Sequence, residues 1–170
     1  MKIDRVGDVK PKMIFLLLVF YALHMVEEFA FGFVEWGDRY FGGFDWTQNI
    51  IGNAMFFAFL FMACYAYYKD PVKHLWLGMA GAMWILANSF IHISSVFLGG
   101  EYSPGVVTAT VIYVPGGVYF LRKWAREGML NLKNVTLSFI VGGMLFILIP
   151  TFVRAILYHA KLAKIFHLVG

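Results

Sequence analysis

His24, Glu27 and Glu28 stand within five residues of one another in the stretch FYALHMVEEFAFGF, residues 20–33. On an α-helix the pair His24/Glu28 is spaced i,i+4 and His24/Glu27 i,i+3, so the three side chains project within an arc of about 100°. Imidazole and carboxylate are the usual protein ligands for Zn, Fe or Mn, and they are also the commonest proton-transfer groups. The i,i+4 spacing recurs in Asn49 with Asn53, Asn88 with His92, and Arg154 with Tyr158. We therefore expect a site with His24, Glu28 and His92 as ligands of a divalent metal and Glu27 as a general base. Tyr102 and Arg154 are further catalytic candidates, and Asn53 and Asn88 are supporting polar groups. Cys64 is the single cysteine, which excludes an intrachain disulfide and a thiolate metal cluster. No HExxH pattern is present, so a zincin-type protease has no support.

These groups must be positioned by elements of very apolar composition. Of the 170 residues 61% are hydrophobic, 19% aromatic and only 14% charged, whereas soluble domains are about one quarter charged. Five apolar runs, at 13–33, 46–68, 75–97, 105–121 and 135–157, each approach the ~20 residues that cross a hydrocarbon core as a helix. The sequence thus predicts one all-α domain, a polytopic transmembrane bundle of five spans. Lys2, Arg5, Lys10 and Lys12 precede the first run, Lys69 and Lys73 separate the second from the third, and Arg122, Lys123, Arg126 and Lys133 separate the fourth from the fifth. The positive-inside rule places these ends, and the N-terminus, in the cytoplasm. The tail with Lys161 and Lys164 fits that rule less well. The net charge of +4 comes from these short inter-run segments, so it reports topology and gives no reason to expect nucleic acid. Trp36, Trp46, Tyr68, Trp76 and Trp124 lie near run ends and are expected to anchor at the interfaces.

Counting ~1.5 Å per helical residue from the flanking basic or acidic residues puts His24, Glu28, Asn53, Asn88 and His92 in one layer, roughly 18 to 28 Å from the cytoplasmic boundary. Arg154 reaches the outer edge of that layer just after Pro150, where a kink is expected. An ionised side chain at the middle of a spanning helix costs ~2.5–3.5 kcal/mol on insertion scales. Two glutamates facing lipid would weigh heavily against insertion, so these faces are expected to converge on a shared cavity in the outer half of the bundle. There the glutamates can bind a cation, share a proton or pair with Arg154.

Three elements occur in a fixed order along the chain: HMVEE at 24–28, a second histidine in NSFIHISS, and YSPG at 102–105. Together they resemble the HXXEE-motif family of integral membrane proteins, which combines His-x-x-Glu-Glu with a further histidine and a Tyr-x-Pro-Gly element. The resemblance implies that His24, Glu27, Glu28, His92, Tyr102 and Pro104 form one constellation, and it implies no reaction. The chemistry favours a metal-dependent enzyme on a lipid-like or isoprenoid substrate in the cytoplasmic membrane of a prokaryote. A metal-free acid/base isomerase, a proton- or ion-coupled transporter, which could be a homo-oligomer, and a membrane scaffold are the alternatives. In the scaffold reading the asparagines are interhelical hydrogen bonders and the Gly116/Gly117 pair a close helix contact.

Overall fold

The computed structural model describes residues 11–165. The basic residues Lys2, Arg5 and Lys10 lie outside the described residues, as do the side chains of Tyr158, Lys161 and Lys164. A 3₁₀ turn over Pro11–Phe15 leads into α1 (Leu16–Ala30), followed by α2 (Phe33–Phe41), α3 (Trp46–Lys69) and α4 (Leu75–Gly99). The chain then forms a one-turn α5 (Val106–Thr108), a π-helical turn over Ala109–Tyr113, α6 (Val114–Arg126) and the long α7 (Leu132–Ile165). All regular structure among the described residues is helical.

Four segments are long and apolar enough to cross a membrane: Pro11–Ala30, Trp46–Lys69, Leu75–Gly99 and Leu132–Leu157. This corrects the expected five spans. The fourth expected run, 105–121, is helical from Val106 to Arg126 but divided into three pieces. Pro115 has no N–H to donate into the preceding turn, and the backbone widens into the π turn just ahead of it. The longest regular piece, α6, has 13 residues and ends in Arg122, Lys123 and Arg126, well short of the ~20 a span requires. In α7, by contrast, the helix continues through Pro150.

The bundle is apolar on both its inner and outer surfaces. Inward, α1 and the turn before it present Ile14, Leu17 and Tyr21, α3 presents Phe56, Leu60, Cys64 and Tyr67, and α4 presents Leu75, Met79, Ala82 and Ile85. These recur at steps of three or four, the spacing of a helical stripe. Outward, Val19, Leu23, Val26, Phe61, Phe90, Phe139 and Ile147 are exposed. A helix hydrophobic all round has lipid as its solvent on the outer side. Cys64 is a buried packing residue whose thiol points at the Ile14 carbonyl oxygen at 3.5 Å. Trp124 is buried rather than interfacial, donating from its indole to the Tyr67 hydroxyl at 3.0 Å.

Loops are closed by short polar side chains. Asp45 caps α3 by accepting from the Gln48 amide at 2.8 Å, and Asn131 accepts from the Asn134 amide at 2.9 Å ahead of α7. Gly32 takes φ 76° between α1 and α2, a left-handed conformation that lets the chain turn sharply out of the first span. The following helix α2 buries Val34, Trp36 and Gly37 and exposes Glu35, Asp38 and Arg39. It is tied to the loop after α4 by an exposed Arg39–Glu101 ion pair at 3.0 Å.

Helix contacts are close where glycine permits. A Cβ on Gly117 would lie 2.6 Å from Leu86 Cγ, and one on Gly116 would overlap the Phe20 ring, so this pair is a packing surface. A Cβ on Gly143 would meet nothing within 4 Å. Gly117→Leu is accordingly expected to destabilise the protein by ~1–3 kcal/mol through overpacking, while Gly143→Leu leaves stability within ~0.5 kcal/mol. Thermal unfolding of the two variants in the same detergent checks this.

A candidate metal centre

The apolar stripe of α1 ends in polar residues without changing face. Ile14, Leu17 and Tyr21 are followed by His24 and Glu28 in the same three-and-four rhythm, and all five are buried. On α4 the stripe through Ile85 continues with Ser89 and His92, likewise buried. Packing of the two helices by their apolar seams therefore brings His24, Glu28 and His92 to one level. His24 Nε2 lies 3.3 Å and His92 Nε2 3.4 Å from Glu28 Oε1. One ligand atom from each residue falls within 4.8 Å of the others. The two imidazoles meet edge-on with ring centroids 4.8 Å apart.

Each imidazole is oriented from behind by a hydroxyl. His24 Nδ1 lies 2.8 Å from Thr108 Oγ1, and His92 Nδ1 lies 3.0 Å from Ser103 Oγ. The first contact fixes a tautomer. Thr108 has one hydroxyl hydrogen, and its shortest acceptor is Glu27 Oε2 at 2.5 Å. Toward His24 the threonine oxygen can then only accept, so Nδ1 carries a hydrogen and, in the neutral ring, Nε2 presents a lone pair. That Nε2 is buried without a hydrogen-bond partner and faces a carboxylate oxygen. Two acceptors at this separation require a proton or a cation between them.

Glu27 points elsewhere. Its Oε1 accepts from the Tyr102 hydroxyl at 2.6 Å and from the Gly105 and Val107 amides at 3.2 and 3.0 Å. Its Oε2 accepts from the Thr108 amide at 2.7 Å as well as from the Thr108 hydroxyl. The carboxylate sits at the N-terminal turn of the 106–126 helical segment, where unpaired amides converge on an anion. Tyr102 is partly exposed, yet burial of its ring and the bond to Glu27 push its phenol up to about 12, so it remains a hydrogen donor through the neutral range.

Gly105 explains why the YSPG stretch ends in glycine. Its φ is 102°, and a Cβ there would lie 2.7 Å from His24 Cε1 and 2.8 Å from His92 Cε1. The backbone at this point is pressed against both imidazoles, with no room for a side chain. HMVEE, His92 and YSPG are thus one contact cluster: Tyr102 and Gly105 hold Glu27, and Ser103 holds His92.

The cluster forms part of the wall of a cavity of ≈ 440 Å³. His24, Glu28, His92, Asn53, Asn88 and Arg154 all line it, and Glu27 and Tyr102 do not. Asn53 accepts from the Tyr21 hydroxyl and donates to Asn49 Oδ1 at 3.1 Å, while Asn88 Oδ1 is buried without a partner. Arg154 donates to the Gly42 and Phe41 carbonyl oxygens at 2.9 and 3.5 Å rather than to Glu28. Trp36 faces this cavity instead of an interface, with its ring 6.4 Å from that of His92 and its indole N–H buried and unpaired.

Ser103, Thr108, Trp36 and Tyr113 are site residues that sequence reasoning misses. Tyr113 lies against His24 at 4.4 Å between centroids, with a buried hydroxyl that has no partner. The only sequence signal for Thr108 is its place three residues after a Pro-Gly turn, where a helix begins. Ser103 carries a comparable signal inside YSPG, and the aromatic pair carries none. Comparison with curated proteins and with solved structures gives no match. A family model matches residues 15–120, from the start of the first span through most of α6, and covers every member of the cluster. The chain belongs to the family of proteins of unknown function with an HXXEE motif.

Proposed function

We propose that this protein is a membrane-embedded, metal-dependent enzyme acting on a lipid-like or isoprenoid substrate, with His24, Glu28 and His92 as metal ligands. The observation that carries the reading is the convergence of these three ligand atoms on the wall of a largely apolar cavity, with His24 Nε2 turned toward a carboxylate oxygen. Two histidines and one carboxylate with an open remaining position are a set used by catalytic zinc and by non-haem iron. A divalent cation at such a set supplies Lewis acidity. Zn, Fe and Mn are all compatible with the donor atoms.

The remaining residues position and exclude. Glu27 acts through Thr108: it holds the threonine hydroxyl, which in turn fixes the His24 ring and tautomer. It is a positioning residue in this scheme rather than the base. Ser103 holds the His92 ring from behind. Phe33, Trp36 and Tyr113 pack around the imidazoles and keep the site dry. A substrate in the cavity meets the cluster along the wall formed by α1 and α4. A second reading is favoured by the facing acceptors themselves: a proton shared between His24 Nε2 and Glu28 Oε1 would satisfy both atoms without a metal, as a metal-free isomerase requires.

Elemental analysis separates the two. The purified wild-type protein is expected to carry one divalent metal per chain, and His24→Ala, His92→Ala and Glu28→Gln to lose it. A wild-type protein that stays metal-free after loading with Zn, Fe(II) or Mn rejects the metal reading, and the shared proton takes its place. Thr108→Val removes the hydroxyl but keeps the side-chain shape. It is expected to weaken metal affinity ~10- to 100-fold, the usual effect of losing a ligand's outer partner, with Thr108→Ser restoring it. Competition with a chelating dye measures both, and equal affinity in Thr108→Val would remove the threonine from this role.

A further inference from the structure

Arg154 is a cation on an otherwise apolar stretch of α7, and it lines the same cavity as the His/Glu cluster. Its guanidinium has five N–H donors, and the bonds it makes go to two neutral backbone oxygens, those of Phe41 and Gly42. Ion pairs among the described residues join His24 and His92 to Glu28, Arg39 to Glu101 and Lys123 to Glu127. None of these involves Arg154. Arg154 is exposed at this cavity and has no carboxylate partner among the described residues; it is matched by an anionic group that presents two oxygens, since the planar fork binds carboxylate or phosphate through paired hydrogen bonds. The two carbonyls it now contacts form weaker, uncharged hydrogen bonds that such an anion can replace.

The rest of the wall selects the body of the ligand. Phe33, Phe56, Trp84, Leu145 and Ile149 supply a continuous apolar lining, and the buried Trp36 indole N–H adds one unpaired donor to it. The volume of ≈ 440 Å³ falls within the ~300–1,000 Å³ range of sites for one small ligand. That is the scale of a single-chain molecule with its head. We propose that the cavity binds a single-chain amphiphile, its anionic head on Arg154 and its apolar chain within the bundle beside His24, Glu28 and His92. This deepens the enzyme reading by naming the substrate class, and it rests on that reading. Carboxylate and phosphate monoester heads share the chemistry that Arg154 recognises.

The test uses the full chain in nanodiscs of zwitterionic lipid, with ω-bromododecanoate, ω-bromododecyl phosphate and ω-bromododecanol as probes. Bromine quenches the fluorescence of Trp36 and Trp84, which line the cavity, and ligand concentration is expressed as membrane-bound probe. At least one of the two anions is expected to quench at roughly 10-fold or more lower concentration than the alcohol, the discrimination expected of a charge-assisted bidentate contact. Arg154→Gln should abolish the difference and Arg154→Lys should keep part of it; the stronger of the two anions identifies the head. An alcohol as effective as both anions on the wild type, or a preference that survives in Arg154→Gln, overturns the inference. Should Arg154→Gln not fold, the headgroup comparison on the wild type and on Arg154→Lys decides. Metal content is measured on the same samples. Metal without a headgroup preference overturns the amphiphile proposal alone, and an Arg154-dependent preference without metal overturns the metal reading alone.

Discussion

The arrangement of the site depends on one buried carboxylate, Glu27, and the five hydrogen bonds it accepts from the 102–108 segment. An ionised group inside a bundle is tolerated when its lone pairs are filled by donors that cannot turn away. Here three of the donors are backbone amides at the start of a helical segment, fixed by the helix itself. The bonds hold the first turn of that segment against α1. They also set the position of Gly105 beneath both imidazoles and of Thr108 behind His24. Without Glu27 the Thr108 hydroxyl would lose its shortest acceptor and could turn to the Gly105 carbonyl oxygen at 3.2 Å or to His24, so the tautomer of His24 would no longer be determined.

Adjacent glutamates on one helix can serve two elements because consecutive residues diverge by ~100°. Glu28 continues the core stripe of α1 and meets His92 on α4, while Glu27, one position earlier, faces the segment after α4. The doubled glutamate is therefore not a pair sharing a charge. One carboxylate is satisfied by a helix start and leaves the other beside two imidazoles. This removes the side-by-side repulsion that two carboxylates in one dry pocket would suffer. It also explains how a single helix of 15 residues organises two neighbours at once.

Much of this is legible in the residues. The i,i+4 rhythm of His24/Glu28 and Asn88/His92, combined with similar helical depth, is enough to expect convergence on a shared cavity, because helices packed by their apolar seams must bring equivalent heights together. The division of labour between Glu27 and Glu28 is not legible. It depends on where residues 102–108 run, and that path follows from a left-handed glycine and tertiary contacts rather than from any periodicity. The fourth expected span fails for a related reason. Apolar composition over 105–121 predicts burial, but Pro115 and the π turn divide the helix, and the length of the unbroken piece decides whether it spans. Trp36 and Trp124 show the limit of position-based rules for tryptophan: both lie near run ends, and both are buried by packing.

The charges around the cavity form a sequence that also constrains what can occupy it. Glu27 is solvated by helix amides and the Tyr102 phenol and does not line the cavity. In the proposed site a divalent cation would set two positive charges against the single carboxylate of Glu28. Arg154, exposed and on α7, adds a further positive charge to the lining of the same cavity. A neutral lipid would leave both without a counter-charge, at greater cost for the buried cluster than for the exposed guanidinium. A ligand with an anionic head answers that excess at the Arg154 end, and its chain fills the aromatic lining. The same electrostatic argument that makes a metal favourable beside Glu28 therefore makes an acidic amphiphile favourable in the chamber, although the two rest on different residues.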